Sequence, residues 1–204
     1  MPSAVTEAPY RPVSADPPRK RWTRADCQAF EAAGLFEEEH LELVEGELID
    51  KMGKNRPHIN TLAVVAAWLA RVFGDQFITR EAPIDVAPED HPTSEPEPDA
   101  VVLARSYWDF STTNPQPSDI RLVVEVSETT LGFDLTKKAA LYARAGIPEY
   151  WVFDVVEHRL IVHREPTNGR YQAVAVYAAH ESVAPIAASD AWFRVGEAFE
   201  RPLE

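Results

Sequence analysis

The chain of 204 residues has the length of one sizeable domain, and its composition, 45% hydrophobic and 26% charged, is that of a soluble globular protein. Its single cysteine excludes a disulfide framework and a four-cysteine zinc site. The formal net charge of −13 counts against nucleic-acid binding through the average field of the molecule, because phosphate contacts normally need a basic surface. A locally basic groove, or an acidic cleft neutralised by a divalent metal, stays compatible with that charge.

The sequence has no long apolar segment. No run approaches the roughly 18 residues needed to span a membrane, and the N-terminus lacks the apolar core of a signal peptide. We therefore expect a cytoplasmic protein. Met1–Lys20 holds five prolines and little apolar material, which predicts a disordered arm, with residues 21–204 forming a single domain.

The first predicted elements are a helix and a β-hairpin. Thr23 is a candidate N-cap for a helix at Arg24–Ala33. The stretch Leu41–Met52 is typical of two strands joined by a tight turn at Glu45-Gly46.

A second helix and two strands follow. Apolar residues at helical spacing predict a helix at His58–Phe73. Phe77–Ala87 is predicted as a strand, and the acidic, proline-rich stretch Pro88–Pro98 as an exposed loop. Asp99 ends this loop where a short apolar strand begins at Ala100–Ala104.

The segment Leu122–Asp154 has the pattern of a strand, a helix and a second strand, which is the crossover unit of a parallel strand pair. The valine-rich Leu122–Ser127 is predicted as a strand buried on both faces. Asp134 is a candidate N-cap for a helix at Asp134–Ala145, and Tyr150–Phe153 is the second strand.

Glu125 is the unusual residue of this unit. A carboxylate in the middle of a buried strand costs several kcal/mol unless it is paired, protonated or bound to a metal. Lys138 falls on the apolar stripe of the following helix and therefore faces the sheet, whereas Lys137 is rotated about 100° away. We expect a buried ion pair between Glu125 and Lys138. From these two residues alone, the pair can be either structural or catalytic.

Asp99 is a second acid that can reach the same place if its strand pairs with that of Glu125. Two carboxylates with a backbone carbonyl and waters suit magnesium, which keeps much of its hydration. Such a cation polarises a phosphoryl oxygen, and a nearby ammonium such as that of Lys138 stabilises the developing charge. The alternative reading of Asp99 is a cap at the entry of a strand after a proline.

Five motifs occur in order along the chain. They are ELVEGE at Glu42–Glu47, a histidine at a helix start (His58), PD at Pro98-Asp99, VVEVS at Val123–Ser127, and FDLTKKAALYARAGIPEYWVFD at Phe133–Asp154. Together they resemble the PD-(D/E)XK nuclease superfamily and, more closely, the Uma-two family of predicted restriction endonucleases. The resemblance covers most of the chain, and its last motif is the most specific.

The resemblance implies an α/β, restriction-endonuclease-like core in which helices flank a mixed central β-sheet, with an additional β-rich C-terminal part. It implies an Mg²⁺-dependent endonuclease that hydrolyses phosphodiester bonds of DNA, with Mn²⁺ as a possible substitute. Asp99 and Glu125 would bind the metal, and Lys138 would be the catalytic lysine. Ser127 stands where the E-x-K signature has its lysine, and similar families move that lysine to the position of Lys138.

Two further residues are auxiliary candidates. Glu42 is placed to join the site as an extra acid, but is equally compatible with a solvated strand residue. His58 is an auxiliary site residue or simply a residue that begins its helix. The sequence has no Walker loop, dinucleotide-binding glycine motif, zincin helix or nucleophile elbow, so those enzyme classes lack their usual support.

The C-terminal part predicts strands at Arg159–His163 and Tyr171–Tyr177 around a turn at Asn168-Gly169. This β-rich segment offers an edge for a homodimer, which would supply two active sites for cutting two strands. The alternative function is a catalytically weak or inactive binding or regulatory protein on the same fold. The missing lysine at Ser127 and the acidic charge favour that alternative.

Overall fold

A computed structural model describes residues 19–35, 39–51 and 55–200 of the chain. Of the predicted arm, only its last two positions are among these residues. Met52, the predicted end of the second hairpin strand, lies outside them. No helix in the described ranges is long and apolar enough to cross a membrane.

The helices are α1 (Arg24–Ala32), α2 (Arg56–Phe73), α3 (Leu131–Phe133), a π turn (Asp134–Lys138) and α4 (Ala139–Arg144). Short 3₁₀ turns occur at Asp75–Phe77, His91–Thr93, Tyr107–Phe110, Pro117–Asp119, Ile186–Ala188 and Val195–Ala198. The strands are β1 (Leu41–Val44), β2 (Glu47–Asp50), β3 (Ile78–Thr79), β4 (Ala100–Leu103), β5 (Ile120–Ser127), β6 (Glu149–Asp154), β7 (Arg159–Thr167), β8 (Arg170–Ala178), β9 (Ser182–Val183) and β10 (Phe193–Arg194).

The N-terminal elements form as the sequence predicts. Thr23 caps α1 in a capping box with Asp26, which satisfies two backbone N–H groups at the helix start. β1 and β2 form an antiparallel hairpin whose turn has positive φ at Glu45 and Gly46. A side chain at Gly46 would also meet the Cβ atom of Arg21, because an added Cβ would lie 2.7 Å from it.

Helix α2 begins two residues before the predicted start. Asn55 is the N-cap and accepts a hydrogen bond from the backbone N–H of His58 at 3.1 Å, and a proline stands in the first turn. His58 therefore lies in the first turn of the helix. The buried positions recur at helical spacing and turn one face of α2 towards the sheet: Thr61, Leu62, Val65, Ala66, Trp68 and Leu69.

The main sheet has six strands in the order β3-β4-β5-β6-β7-β8. β5 and β6 are parallel and the other neighbours are antiparallel, so the predicted crossover unit and mixed sheet are confirmed. The β-rich C-terminal part is largely a continuation of this sheet, because β7 pairs with β6 and β8 pairs with β7. Only β9 and β10 form a separate small antiparallel pair there.

The two faces of β5 carry different layers. Leu122, Val124 and Val126 point to one apolar cluster, which includes residues of α2 and of the C-terminal segment. Val123 points to the opposite cluster, which includes residues of α4. Glu125 shares that second face by strand alternation, as predicted, and so lies beneath the helix that connects β5 to β6.

Two predicted elements are wrong. Phe77–Ala87 contains only the two-residue strand β3, because Glu81 adopts a positive φ and the chain then leaves the sheet; the apolar residues beyond it, such as Ile84, are buried without strand pairing. Asp134 is not an N-cap, because helical structure already begins at Leu131 and Asp134 itself has helical φ and ψ. The Pro88–Pro98 segment is also less exposed than predicted, since Ser94 is fully buried.

Candidate active site

A cavity of about 470 Å³ lies between the β1–β2 hairpin, the start of α2, the end of β5 and the helical segment that follows. Its lining includes every residue that the sequence singled out for the site. These are Glu42, His58, Asp99, Glu125 and Lys138, joined by Asp134. Asp134 and Lys138 share the π turn, and the other four come from separate parts of the chain, so the fold is what brings them together.

Asp99 is buried immediately before β4. Ala100 pairs with Val124, the residue before Glu125, so Asp99 lies next to the end of this pairing. Asp99 Oδ2 accepts a hydrogen bond from the backbone N–H of Val126 at 2.7 Å. This hydrogen bond holds one carboxylate oxygen of Asp99 against β5. A residue that only capped the start of β4 would not need such a bond.

His58 reaches Asp99 from the first turn of α2. Its Nε2 atom lies 3.2 Å from Asp99 Oδ1. The imidazole and the main chain of Val126 therefore hold the two oxygens of this carboxylate in a defined orientation. The histidine is part of the cavity wall and does more than begin its helix.

Glu125 is buried in the middle of β5 with one oxygen engaged. Its Oε1 atom accepts hydrogen bonds from Lys138 Nζ at 2.8 Å and from the Tyr142 hydroxyl at 3.0 Å. In the part of the chain that the structure describes, Oε2 has no hydrogen-bond partner. Burial raises the pKa of Glu125 to about 8, because desolvation of the carboxylate outweighs the attraction of Lys138, and the charge of Asp99 adds to the rise.

Lys138 is buried and bridges two acids. Its Nζ atom lies 2.8 Å from Glu125 Oε1 and 2.8 Å from Glu42 Oε1. Burial acts to lower its pKa, but the carboxylates of Glu125 and Glu42 outweigh burial and raise the pKa above the ordinary lysine value. Lys137 points elsewhere, with its ammonium 3.1 Å from Glu45, so the predicted orientation of the two lysines is confirmed.

Glu42 is not a solvated strand residue. Only 4% of its surface is exposed, and its second oxygen accepts a hydrogen bond from the backbone N–H of Glu97 at 3.1 Å. The hairpin that carries Glu42 therefore closes one side of the cavity and fixes the lysine from the side opposite β5.

Asp134 is the cavity residue that the sequence interpretation assigned to another role. Its Oδ2 atom accepts hydrogen bonds from the hydroxyls of Ser127 and of Thr130, the latter at 2.7 Å. Burial raises its pKa, although the charge of Lys138 and these two hydroxyls oppose that rise. The signal was present in the sequence, because Asp134 belongs to the same long motif as Lys138.

The comparisons with known proteins bear on what this cavity is. The family model described as "Uma2: Putative restriction endonuclease" matches residues 27–195, which is most of the chain. The protein belongs to the Uma2 family. The match contains all six cavity residues discussed above.

A solved structure supports the same fold. It is titled as a putative nuclease belonging to DUF820 from Anabaena variabilis ATCC 29413, and it is 18% identical to this chain with a TM-score of 0.60. The similarity covers 79% of this chain and 90% of the other. At that identity the similarity shows the fold alone. No curated protein matches the chain significantly.

The cavity of this Uma2 protein has more buried carboxyl groups than cations. The buried carboxyl groups are those of Glu42, Asp99, Glu125 and Asp134, whereas Lys138 is the one buried lysine among the described lining residues, since Lys51 is only partly buried. Among the described residues, no group of three or more histidines, cysteines or acids is arranged to hold a metal ion unaided. The described residues therefore do not form a metal site made of protein ligands alone, as a structural zinc site is. Magnesium does not need such a site, because it is commonly held by one or two carboxylates and several waters. The oxygen donors present therefore suit a hydrated magnesium ion near Asp99 and the second oxygen of Glu125.

Proposed function

We propose that this protein is an Mg²⁺-dependent endonuclease that hydrolyses phosphodiester bonds of DNA. In this proposal Asp99 and Glu125 hold the metal and Lys138 is the catalytic lysine. The observation that carries it is the convergence of the Asp99 and Glu125 carboxylates and a buried ammonium on one cavity, with Lys138 Nζ 2.8 Å from Glu125. DNA as the substrate rests on membership of the Uma2 family.

Magnesium, and also Mn²⁺, would supply the Lewis acid that polarises the phosphoryl oxygen and acidifies an attacking water. Glu125 offers Oε2 for this ion while its other oxygen stays bound to Lys138 and Tyr142. Asp99 offers a carboxylate that is already oriented by His58 and Val126. Preorganised ligands of this kind need little rearrangement when they bind a cation.

Lys138 donates one ammonium N–H to Glu125 and forms an ion pair with Glu42, and an ammonium has three N–H donors. Within the described ranges, the hydrogen bond to Glu125 is the one that this ammonium donates, and the side chain lines the cavity. An N–H of Lys138 is therefore available to donate to a phosphate oxygen and to stabilise the negative charge that develops in the transition state. Glu42 acts as an auxiliary residue by fixing the ammonium, and His58 does the same for Asp99.

The alternative is a binding or regulatory protein on the same fold with weak or no catalysis. The observation that favours it is that Lys138 is already bound by two buried carboxylates, an arrangement that a structural ion pair also explains. Ser127, which donates to Asp134, occupies the position of the usual lysine. The two functions differ in whether metal binding leads to cleavage.

Calorimetry with Mg²⁺, combined with nicking of supercoiled plasmid, tests the proposal. We expect Glu125→Gln and Asp99→Asn to lose both magnesium binding and nicking. Asp154→Asn is the matched control, because Asp154 is a buried carboxylate of β6 that binds Arg159 at 2.8 Å and does not line the cavity. This variant should bind magnesium as the wild type does. Unchanged binding in Glu125→Gln would refute the metal assignment, and binding without any nicking by the wild type would favour the binding protein.

A further inference from the structure

The helical segment that carries Lys138 is interrupted by a π turn. In Asp134–Lys138 the carbonyl of Asp134 accepts a hydrogen bond from the N–H of Ala139, five residues on, where an α-helix would use the residue four positions on. One residue is thereby inserted into the turn. The helix before and after the insertion is out of phase by about 100° relative to a continuous α-helix.

The π turn carries a cavity-lining side chain at each of its ends. Asp134 enters the π turn and points to Ser127 and Thr130 at the end of β5. Lys138 leaves it and points to Glu125 in the middle of β5, followed one turn later by Tyr142, which binds the same carboxylate. Both ends of the turn therefore address β5, and the Asp134 carbonyl that accepts the π hydrogen bond belongs to the turn from which Lys138 projects.

A tyrosine from β6 contacts the turn at its first residue. The hydroxyl of Tyr150 donates a hydrogen bond to the Asp134 carbonyl at 3.2 Å, beside the π hydrogen bond from Ala139. Tyr150 is fully buried, and burial raises its pKa well above the ordinary tyrosine value, so the hydroxyl is a neutral donor. Its ring is held by Tyr142 at 5.0 Å and by His163 at 5.3 Å between ring centroids.

We propose that Tyr150 is a positioning residue whose hydroxyl stabilises the π turn and thereby places the ammonium of Lys138 between Glu42 and Glu125. The inference rests on the proposed function for its catalytic consequence, but not for the placement itself. Tyr150 touches neither the cavity-lining carboxylates nor the lysine through its hydroxyl, so it acts through the backbone of Asp134.

The chain offers a matched control. Tyr171 is also a buried tyrosine, on β8, and its hydroxyl donates to the carbonyl of Ile147 at 2.9 Å, just after the end of α4. Tyr150→Phe and Tyr171→Phe therefore each remove one buried hydroxyl bound to a backbone carbonyl of the same β5–β6 connection. Only the first removes a bond to the π turn.

The test uses the full chain labelled with ¹⁵N-lysine. The protein has five lysines, so the ammonium resonance of Lys138 is assigned by its loss in Lys138→Met. We expect Tyr150→Phe to shift or broaden this resonance and to lower magnesium-dependent nicking roughly tenfold or more, since small misplacements of a catalytic group are costly, with magnesium affinity unchanged. Tyr171→Phe should leave the resonance and the nicking rate as in the wild type.

The outcomes separate the inference from the function on which it builds. A Lys138 resonance that is the same in Tyr150→Phe, Tyr171→Phe and the wild type would overturn it. So would unfolding of Tyr150→Phe under conditions where Tyr171→Phe is folded, because the role would then be general stability. If the wild type does not nick DNA, the proposed function fails, and the resonance still decides whether Tyr150 positions the lysine.

Discussion

Replacing Lys138 by methionine removes the single cation of the buried cluster and keeps most of the side-chain volume. The carboxyl groups of Glu42 and Glu125 both lose their partner in this variant, and both are buried. Removing one partner of a buried ion pair leaves an uncompensated buried charge, which costs roughly 3–5 kcal/mol.

The free energy of unfolding should therefore fall by roughly 3–5 kcal/mol in Lys138→Met at pH 7, measured by urea denaturation without metal. Lys137→Met is the control: the Lys137 side chain is 44% exposed and its ammonium pairs with Glu45, so this variant should lose at most about 1 kcal/mol.

The same two variants test catalysis. If the ammonium acts on the phosphate, Lys138→Met should lower nicking by roughly 10²-fold or more under conditions where it is folded, while Lys137→Met nicks normally. The double variant Lys138→Met/Glu42→Gln should recover stability without recovering nicking. Nicking that returns together with stability would refute the catalytic role, and an unchanged stability in Lys138→Met would refute the electrostatic reasoning.

Three further outcomes are expected. Magnesium affinity should rise about tenfold from pH 6 to 7 and about fivefold from pH 7 to 8, because the ion must displace the proton of Glu125, whose pKa is about 8; calorimetry that finds a constant affinity would contradict this. Without metal, the free energy of unfolding should fall as the pH rises from about 4.5 to 8, because only the folded state keeps the proton of Glu125 between these pH values. A free energy of unfolding that rises over this pH range in urea titrations would contradict the predicted direction. We also propose a homodimer through β8, because it is an edge strand with exposed Val174 and Val176. Sedimentation should show a dimer that Val174→Lys dissociates, and a wild-type monomer would count against it.

The sequence by itself determined the elements with a local physical cause. Thr23 marks a helix start because its hydroxyl binds the helix backbone, and Glu45-Gly46 marks a turn because glycine tolerates positive φ. The β5–helix–β6 crossover followed from the periodicity of its apolar residues. The inward lysine followed from helical geometry, so Lys138 could be paired with Glu125 without any structure.

The tertiary structure decided everything that depends on distant parts of the chain. The π turn was invisible to periodicity, since it is stabilised from outside by a tyrosine on β6 and the sequence spacing assumes an uninterrupted α-helix. The burial of Glu42 depends on how the β1–β2 hairpin packs near Lys138. The role of Asp134 depends on the position of Ser127, the last residue of β5, whose hydroxyl donates to Asp134. Phe77–Ala87 has strand-like residues but finds no neighbouring strand beyond β3, because sheet pairing, unlike helix formation, requires a partner elsewhere in the sequence.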